Sequence, residues 1–222
     1  MNLCLFDLDG TLLPIDSDHA FGEFMVGIGW ADAQRFRERN DAFFADYQAG
    51  RLDLAAYVEF ATSVWRDKPL AEAEAARERF MREVLRPQLR PAALDLVRSH
   101  QQQGDLVAIV TATNEFVTTP IAQAFGVEHL IAVQLEREAD GAWSARLRGV
   151  PSYREGKVAR VHQWLGGLGH RLEEFGRISV YSDSPNDLPL LELATDAVAT
   201  NPSPALAAVA RERGWRILEL FQ

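Results

Sequence analysis

The sequence is poor in cysteine and in positive charge, and it has no long hydrophobic run. Cys4 is the single cysteine among 222 residues, so an internal disulfide is impossible and a reducing compartment is expected. The 23 lysines and arginines face 32 aspartates and glutamates, a formal net charge of -9. That balance argues against binding nucleic acid, which needs clustered positive charge. No apolar stretch approaches membrane-spanning length, so we expect no membrane partner.

The N-terminal residues also lack the uncharged apolar core of an export signal. Asp7 and Asp9 fall where such a core would lie, and we therefore expect a cytoplasmic protein. Hydrophobic residues make up 47% of the chain and charged residues 25%, which is ordinary for a globular protein. At this length the chain can bury a sizeable core as one large domain or two smaller ones.

Two carboxylates stand at the end of the first apolar run. The run is closed by Gly10, which predicts a buried strand that stops abruptly, with Cys4 as a small core residue. Asp7 and Asp9 are two residues apart and so start on the same side of that strand. Burying unpaired charge is costly, and a divalent cation is the natural compensation. The alternative is an acidic Asp-Gly turn of the kind common in hairpins.

Residues 15–87 have the pattern of four amphipathic helices joined by short links. Ser17 or Asp18 is expected to cap the first helix and Asp53 the third, while Gly50 ends the second. Aromatic residues recur along these helices at helical spacing. We interpret these stripes as the core of a four-helix bundle rather than as a cofactor site.

From residue 88 onward, helices alternate with short apolar runs. Strands are predicted at 106–110, 130–133, 177–181, 196–199 and, at an edge, 215–218. Such alternation is typical of an α/β fold with a doubly wound parallel sheet. We therefore predict a core domain of residues 1–14 and 88–222, into which residues 15–87 are inserted as a helical domain. A hairpin is expected within residues 134–148 around Asp140 and Gly141.

Polar residues collect where the predicted strands end. The first strand ends in Asp7 and Asp9, the second in Thr111, and the fourth in a loop with Asp183 and Asp187. Taken singly, each of these residues has a structural reading as a turn or helix-cap residue. Ligands of open α/β sheets bind at the carboxyl ends of the strands. Polar groups at the end of every central strand therefore favour a ligand site.

The order of these residues resembles the haloacid dehalogenase superfamily of phosphatases over the whole chain. The first motif of that superfamily, Asp-x-Asp-x-Thr after the first strand, is matched by residues 7–11. The second, a Thr or Ser, is matched by Thr111, and the third, a Lys, by Lys157. The fourth, an acidic pair on a short loop, is matched by Asp183 and Asp187. The helical insertion is similar to the cap of the subgroup that includes phosphoserine phosphatases.

The resemblance implies an Mg²⁺-dependent phosphomonoester hydrolase that acts on a small phosphorylated metabolite through an aspartyl-phosphate intermediate. Asp7 would be the nucleophile, Asp9 the general acid and base, and Lys157 a source of neutralising charge. The residues expected to bind substrate are Thr111, Ala112, Asn114, Lys157 and Asp16. The expected metal ligands are Asp7, Asp9 through its backbone carbonyl, Asp183, and Asp187 either directly or in support of Lys157.

The helical insertion is expected to select the substrate. Asp16 falls near the place where phosphoserine phosphatases carry a Glu for the substrate ammonium group. Ala61 falls near the Arg with which those enzymes hold the substrate carboxylate. Arg51 and Arg66 are nearby but do not match that position, which argues against phosphoserine.

The substrate class expected is an amino-alcohol phosphate, with phosphoserine and histidinol phosphate as the two alternatives. Asp16, Asp18 or Glu23 would face the amine, and His19 is a further candidate for a substrate contact.

Three other functions are open alternatives. A non-catalytic binding protein on this fold would have lost a catalytic residue, and none is missing. A second possibility is another reaction of the superfamily, such as dehalogenation or phosphoryl transfer to an acceptor other than water. The acid at residue 9 and the acidic loop favour phosphate esters over halides. A receiver domain phosphorylated on Asp would leave the helical insertion unexplained. The sequence indicates no oligomeric state.

Overall fold

The computed structural model of the protein describes residues 1–221. Its strands are β1 (Leu3–Phe6), β2 (Leu106–Asn114), β3 (His129–Val133), β4 (Leu135–Arg137), β5 (Trp143–Leu147), β6 (Ile178–Ser182), β7 (Asp196–Thr200) and β8 (Arg216–Leu218). Six of them form a parallel sheet in the order β3-β2-β1-β6-β7-β8. The other two, β4 and β5, form the predicted antiparallel hairpin.

The helices are α1 (Ser17–Gly27), α2 (Ala33–Gln48), α3 (Leu54–Thr62), α4 (Leu70–Phe80), α5 (Pro91–Gln102), α6 (Glu115–Ala124), α7 (Glu155–Gly167), α8 (Leu188–Leu191) and α9 (Pro204–Arg213). After α4 the chain continues as a π-helical turn, Met81–Leu85, and a short 3₁₀ turn, Arg86–Gln88. Within residues 1–221, every helix is too short or too polar to span a bilayer.

Both faces of the sheet are covered, as the predicted doubly wound architecture requires. Side chains alternate along β1, so Cys4 and Phe6 pack into one hydrophobic cluster while Leu3 and Leu5 pack into another. Helices α5 and α6 contribute to the first cluster, and α7, α8 and α9 to the second. The strand order reverses direction between β1 and β6, and ligands of such sheets bind at that switch point.

The first helix begins one or two residues earlier than the sequence predicted. Asp16 has an extended backbone, and its carboxylate accepts a 2.8 Å hydrogen bond from the amide of His19. Ser17 and Asp18 lie inside the helix, so the prediction that one of them is the cap was wrong. The predicted cap Asp53 is confirmed, since its carboxylate accepts a hydrogen bond from the amide of Ala56.

The four helices predicted in residues 15–87 are present, and they share their core with the sheet. The ring of Trp65, just beyond α3, stacks on Phe116 of α6 with ring centroids 4.0 Å apart. Phe21 and Phe80 belong to the same cluster as Phe6 of β1. The apolar face of the helical segment thus continues into one face of the sheet. The division of the chain into two domains stays a prediction.

Candidate active site

Asp7 follows directly on β1 and is held in place on both carboxylate oxygens. Its amide donates to the carbonyl of Tyr181 over 2.9 Å, which continues the pairing of β1 with β6. The ammonium group of Lys157 donates to Oδ1 over 2.7 Å, and the Thr11 hydroxyl donates to Oδ2 over 3.0 Å. Asp7 is 3% exposed and Lys157 1% exposed. Burial raises the pKa of Asp7 to about 7, although the charge of Lys157 opposes that shift.

Asp187 holds Lys157 from the other side. Both carboxylate oxygens of Asp187 lie 2.8 Å from the lysine Nζ, and the Ser182 hydroxyl donates to Oδ2. Burial alone would lower the pKa of Lys157, but the charges of Asp187 and Asp7 outweigh it and raise that pKa. Lys157 is therefore a fixed cation between two carboxylates. Of the two roles predicted for Asp187, this geometry corresponds to the support of Lys157.

Asp9 points away from that ion pair. Its Oδ1 accepts a 2.8 Å hydrogen bond from the amide of Ser17, and its Oδ2 accepts a 2.9 Å bond from the Thr113 hydroxyl. Burial and the nearby charge of Asp16 raise the pKa of Asp9 to about 7. The sequence analysis missed Thr113 because it ended β2 at Val110. The strand has a register shift between Val110 and Asn114, so the period of two along a regular strand does not show which side Thr113 faces.

Asp183 closely approaches the glycine of the first motif. Gly10 has a φ of +75°, and a Cβ built on it would lie 2.4 Å from Oδ2 of Asp183. Thr11 joins the two motifs, because its Oγ1 accepts from the amide of Asp183 over 3.1 Å while it donates to Asp7. Burial, with the charges of Asp7 and Asp187, raises the pKa of Asp183 well above its usual range. Three carboxylates, those of Asp7, Asp183 and Asp187, thus lie near Lys157, whose ammonium group binds two of them directly.

The donor set fits a hard cation completed by a substrate. Within residues 1–221, no three His, Cys, Asp or Glu side chains converge closely enough to hold a metal ion on their own. Magnesium, however, is usually bound by one or two carboxylates, with waters and substrate phosphate as the remaining ligands. Asp7 and Asp183 supply two such carboxylates, and the excess of negative charge around Lys157 favours a divalent cation there.

A narrow cavity lies between Asp7 and Asp9 on one side and the helical segment on the other. Thr111 and Ala112 line it from the end of β2, and Asp16, Asp18 and His19 line it from the start of α1. The remaining wall is partly aromatic, with Phe43, Phe44, Tyr47 and Tyr57 beside Asn40, Leu52, Leu54 and Thr113. No Lys or Arg of the described residues lines this space. The sequence analysis had assigned the aromatic stripes to the core, and part of them forms this wall instead.

The other predicted substrate contacts are distributed differently. Asn114 does not line the cavity, because its Oδ1 caps α6 through the amide of Val117 and its Nδ2 donates to Asp18. Lys157 lies below the cavity, bound to Asp7 and Asp187 as described. His19 lines the cavity, and its Nε2 lies 2.9 Å from a carboxylate oxygen of Asp41.

Comparison with known proteins finds similarity to a hydrolase family and to phosphatases. A model of the haloacid dehalogenase-like hydrolase family matches residues 4–192. A histidinol-phosphatase of Neisseria meningitidis serogroup C is 40% identical over 217 residues, which cover 98% of this chain and 98% of that protein. The phosphoserine phosphatase SerB1 of Mycobacterium tuberculosis is 30% identical over 222 residues, which cover 96% of this chain and 68% of that protein.

Solved structures show the same architecture. A protein of unknown function from Bordetella pertussis Tohama I is 49% identical and superposes with a TM-score of 0.93 over 99% of both chains. A substrate-bound phosphoserine phosphatase is 18% identical and superposes with a TM-score of 0.68, covering 98% of this chain and 92% of that one. The latter similarity concerns the fold alone. The predicted fold and the predicted enzyme class, a phosphatase, are confirmed. The chain belongs to the haloacid dehalogenase-like hydrolase family.

Proposed function

We propose that the protein is an Mg²⁺-dependent phosphomonoester hydrolase whose substrate is an amino-alcohol phosphate, histidinol phosphate. The observation that carries this proposal is a buried, fixed Asp7 beneath a cavity with acidic and aromatic walls. The carboxylate supports phosphoryl transfer, and the walls support a substrate that combines a positive charge with a ring.

The contacts of Asp7 support its role as the nucleophile. Lys157 and Thr11 hold its two oxygens and so fix the direction in which the carboxylate can attack. Attack on phosphorus forms an acyl phosphate on Asp7 as the bond to the substrate oxygen breaks, and water then hydrolyses the acyl phosphate. Asp9, whose carboxylate faces neutral donors, would protonate the leaving alcohol and later take a proton from the water.

Attack of an anion on an anion needs positive charge at the reacting centre. Asp7, Asp183 and the backbone carbonyl of Asp9 would hold Mg²⁺, which neutralises and orients the phosphoryl oxygens when it is bound. Lys157 supplies a further positive charge, and the hydroxyl of Thr111 lines the cavity where a phosphoryl oxygen would lie.

The charge of the cavity favours histidinol phosphate over phosphoserine. The carboxylate of phosphoserine would need a cation, but Arg51 is paired with Asp46 over 2.8 Å and Arg66 lies near Glu59. Neither arginine lines the cavity. Histidinol phosphate carries an amine and an imidazole but no carboxylate, which suits acidic and aromatic walls. The name of the Neisseria relative, a histidinol-phosphatase, supports the same choice.

The test is a panel of histidinol phosphate, phosphoserine and phosphoethanolamine, each assayed with Mg²⁺ and with EDTA. We expect histidinol phosphate to have the highest kcat/KM, at least about tenfold above phosphoserine, and EDTA to abolish turnover. An Asp7→Asn variant should keep the circular dichroism spectrum and lose activity.

Each alternative gives a different result in this panel. Preference for phosphoserine would make the substrate assignment wrong, and activity retained by Asp7→Asn would make the nucleophile wrong. Absence of hydrolysis of every ester would favour a binding protein. Release of the phosphoryl group only to an added alcohol would favour a phosphotransferase.

A further inference from the structure

Three acidic side chains of the helical segment were candidates for contact with a substrate amine, and the structure separates them. Asp16 caps α1, with Oδ1 2.8 Å from the amide of His19. Glu23 is paired with Arg37 over 2.7 Å at the surface and does not line the cavity. Asp18 lines the cavity and is 7% exposed. Asp18 is therefore the acid of this group that is neither a helix cap nor part of a surface ion pair.

In the part of the chain that the structure describes, no cation is paired directly with Asp18, and the positive charge that acts on it from nearby is that of His19. Among residues 1–221, no Lys, Arg or His nitrogen lies within 4.0 Å of its carboxylate, although such pairs are found for many surface acids. Its partners are neutral: Asn114 Nδ2 donates to Oδ1 over 3.2 Å, and the Tyr57 hydroxyl stabilises the ionised form. A buried carboxylate without a cation is costly to the fold.

The absence of a paired cation is reflected in the pKa of Asp18. Burial raises the pKa of Asp18 to about 7, and the charge of Asp9 adds to this, while Tyr57, Asn114 and the charge of His19 oppose it. A cation placed in the cavity would offset that cost because it would lie beside the carboxylate in a poorly solvated site.

We infer that Asp18 binds the positively charged group of the substrate, and that Asn114 is the positioning residue that fixes its carboxylate. The identity of that cation, the amine or the protonated imidazole of histidinol phosphate, rests on the proposed function. Asp16, which resemblance to phosphoserine phosphatases had placed in this role, instead begins the helix that carries Asp18.

Asn114 links the two ends of the substrate site. It lies three residues beyond Thr111 on β2, its Oδ1 starts α6 through Val117, and its Nδ2 holds Asp18 of α1. Asn114 therefore connects the phosphate end of the cavity with the carboxylate that binds the cation. The enzyme would select substrates by the spacing between phosphate and cation as well as by charge.

The first experiment measures binding without hydrolysis. Histidinol, which carries the cationic groups but no phosphate, is titrated by calorimetry into the wild type and into Asp18→Asn. Asn is similar in shape and can still accept from Asn114, so the substitution removes the charge alone. We expect the Kd of histidinol to rise about 10- to 100-fold, as for loss of a hydrogen bond to a charged group. Glu23→Gln is the control and should leave Kd unchanged.

The second variant tests the positioning role. In Asn114→Ser the serine can still cap α6, but it cannot reach Asp18 as the amide does. We expect Tm within a few degrees of the wild type and a Kd for histidinol about 3- to 10-fold higher. A structural role alone would change Tm without changing Kd, and that result would remove Asn114 from the inference.

Hydrolysis distinguishes this inference from the proposed function. In Asp18→Asn the KM for histidinol phosphate should rise by about the factor seen in Kd, and the loss of kcat/KM should be at least about fivefold smaller with 4-nitrophenyl phosphate, which has no cation. A wild type that binds histidinol through Asp18 but hydrolyses no ester would overturn the proposed function and keep the inference. Equal losses on both esters, an unchanged Kd in Asp18→Asn, or no binding of histidinol to the wild type would overturn the inference.

Discussion

The ammonium group of Lys157 lies 2.7 Å from Oδ1 of Asp7, although 150 residues separate them in the chain. The contact is buried, and the carboxylate of Asp187 accepts a 2.8 Å hydrogen bond from the same ammonium group on the opposite side. The lysine therefore fixes the carboxylate of Asp7 and lowers the cost of burying it. Removing either partner leaves a charge in the core, so this part of the site should affect stability and activity together.

The first prediction concerns the loss of that cation. In Lys157→Met the new side chain is similar in size to lysine but uncharged, so Asp7 and Asp187 lose their cation. We expect unfolding by urea at pH 8 to show a loss of about 3–5 kcal/mol, and kcat/KM to fall at least about 1000-fold. The loss of stability should shrink at pH 5, because burial already raises the pKa of Asp7 to about 7 and the variant has no lysine to oppose it. An equal loss at both pH values would contradict this account.

A second prediction uses two glycines with the same backbone conformation. Gly10 has a φ of +75° and Gly104 a φ of +74°, but only at Gly10 would a Cβ meet another side chain, Asp183. Both Gly→Ala variants should lose about 1–2 kcal/mol from backbone strain. Gly10→Ala should in addition displace Asp183 and lose about 100-fold in kcat, while Gly104→Ala keeps activity within twofold. Thermal unfolding and steady-state kinetics measure the two effects, and equal kinetics would refute the role of the Asp183 contact.

The third prediction separates proton transfer from positioning. Asp9→Asn keeps an acceptor for the Ser17 amide, and the Thr113 hydroxyl can rotate to accept from the new amide. The fold should therefore persist. For an alkyl phosphate, whose leaving alcohol needs a proton, kcat should fall by about 10²–10⁴. For 4-nitrophenyl phosphate, whose leaving group departs as the anion, the fall in the first step should be at least about tenfold smaller. Single-turnover bursts measure that step, and equal falls would argue against general-acid catalysis.

The fourth prediction concerns stability and pH. The pKa of Asp18 is raised from its ordinary value of 3.8 to about 7. Folding therefore favours the protonated carboxyl of Asp18. The stability that this carboxyl contributes is present below about pH 4 and is lost as the pH rises through about 7. Asp18→Asn cannot ionise, so the variant should gain stability relative to the wild type between pH 5 and 8.5, by up to about 4 kcal/mol. Paired denaturation curves measure this difference, with Glu23→Gln as control. A difference that does not change with pH would contradict the burial argument.

Much of the fold was predictable from sequence because it depends on periodic patterns. The short apolar runs that end in polar residues fixed the strands, and the ends of those strands brought Asp7, Thr111 and Asp183 to one edge of the sheet. The cap of α1 was wrong by one or two residues because Asp16, Ser17 and Asp18 are all good cap residues. Only their backbone conformations distinguish them.

The remainder of the site depended on contacts between distant segments. Nothing in the local pattern shows that Asn114 reaches Asp18, since 96 residues separate them. The aromatic stripe of α2 has the same spacing whether it faces a core or a cavity, so Phe43 and Tyr47 were assigned to the core. The sequence already had Ala61 near the position of the Arg that holds a substrate carboxylate in phosphoserine phosphatases. Only the lining of the cavity showed that no other Lys or Arg of the described residues takes the place of that Arg.

The central place of β1 in the sheet has a consequence for synthesis of the chain. Leu3 pairs with Leu106 on one side and with Ile178 on the other. Strand β1 therefore leaves the ribosome well before β6, its second neighbour, with a delay on the order of 10–40 s at 5–20 residues per second. During that interval the apolar strand and the Asp7 that follows it lack their neighbour on one side of the sheet. Chains that end before β6 should be inactive and should depend on chaperones, even when their helices are complete.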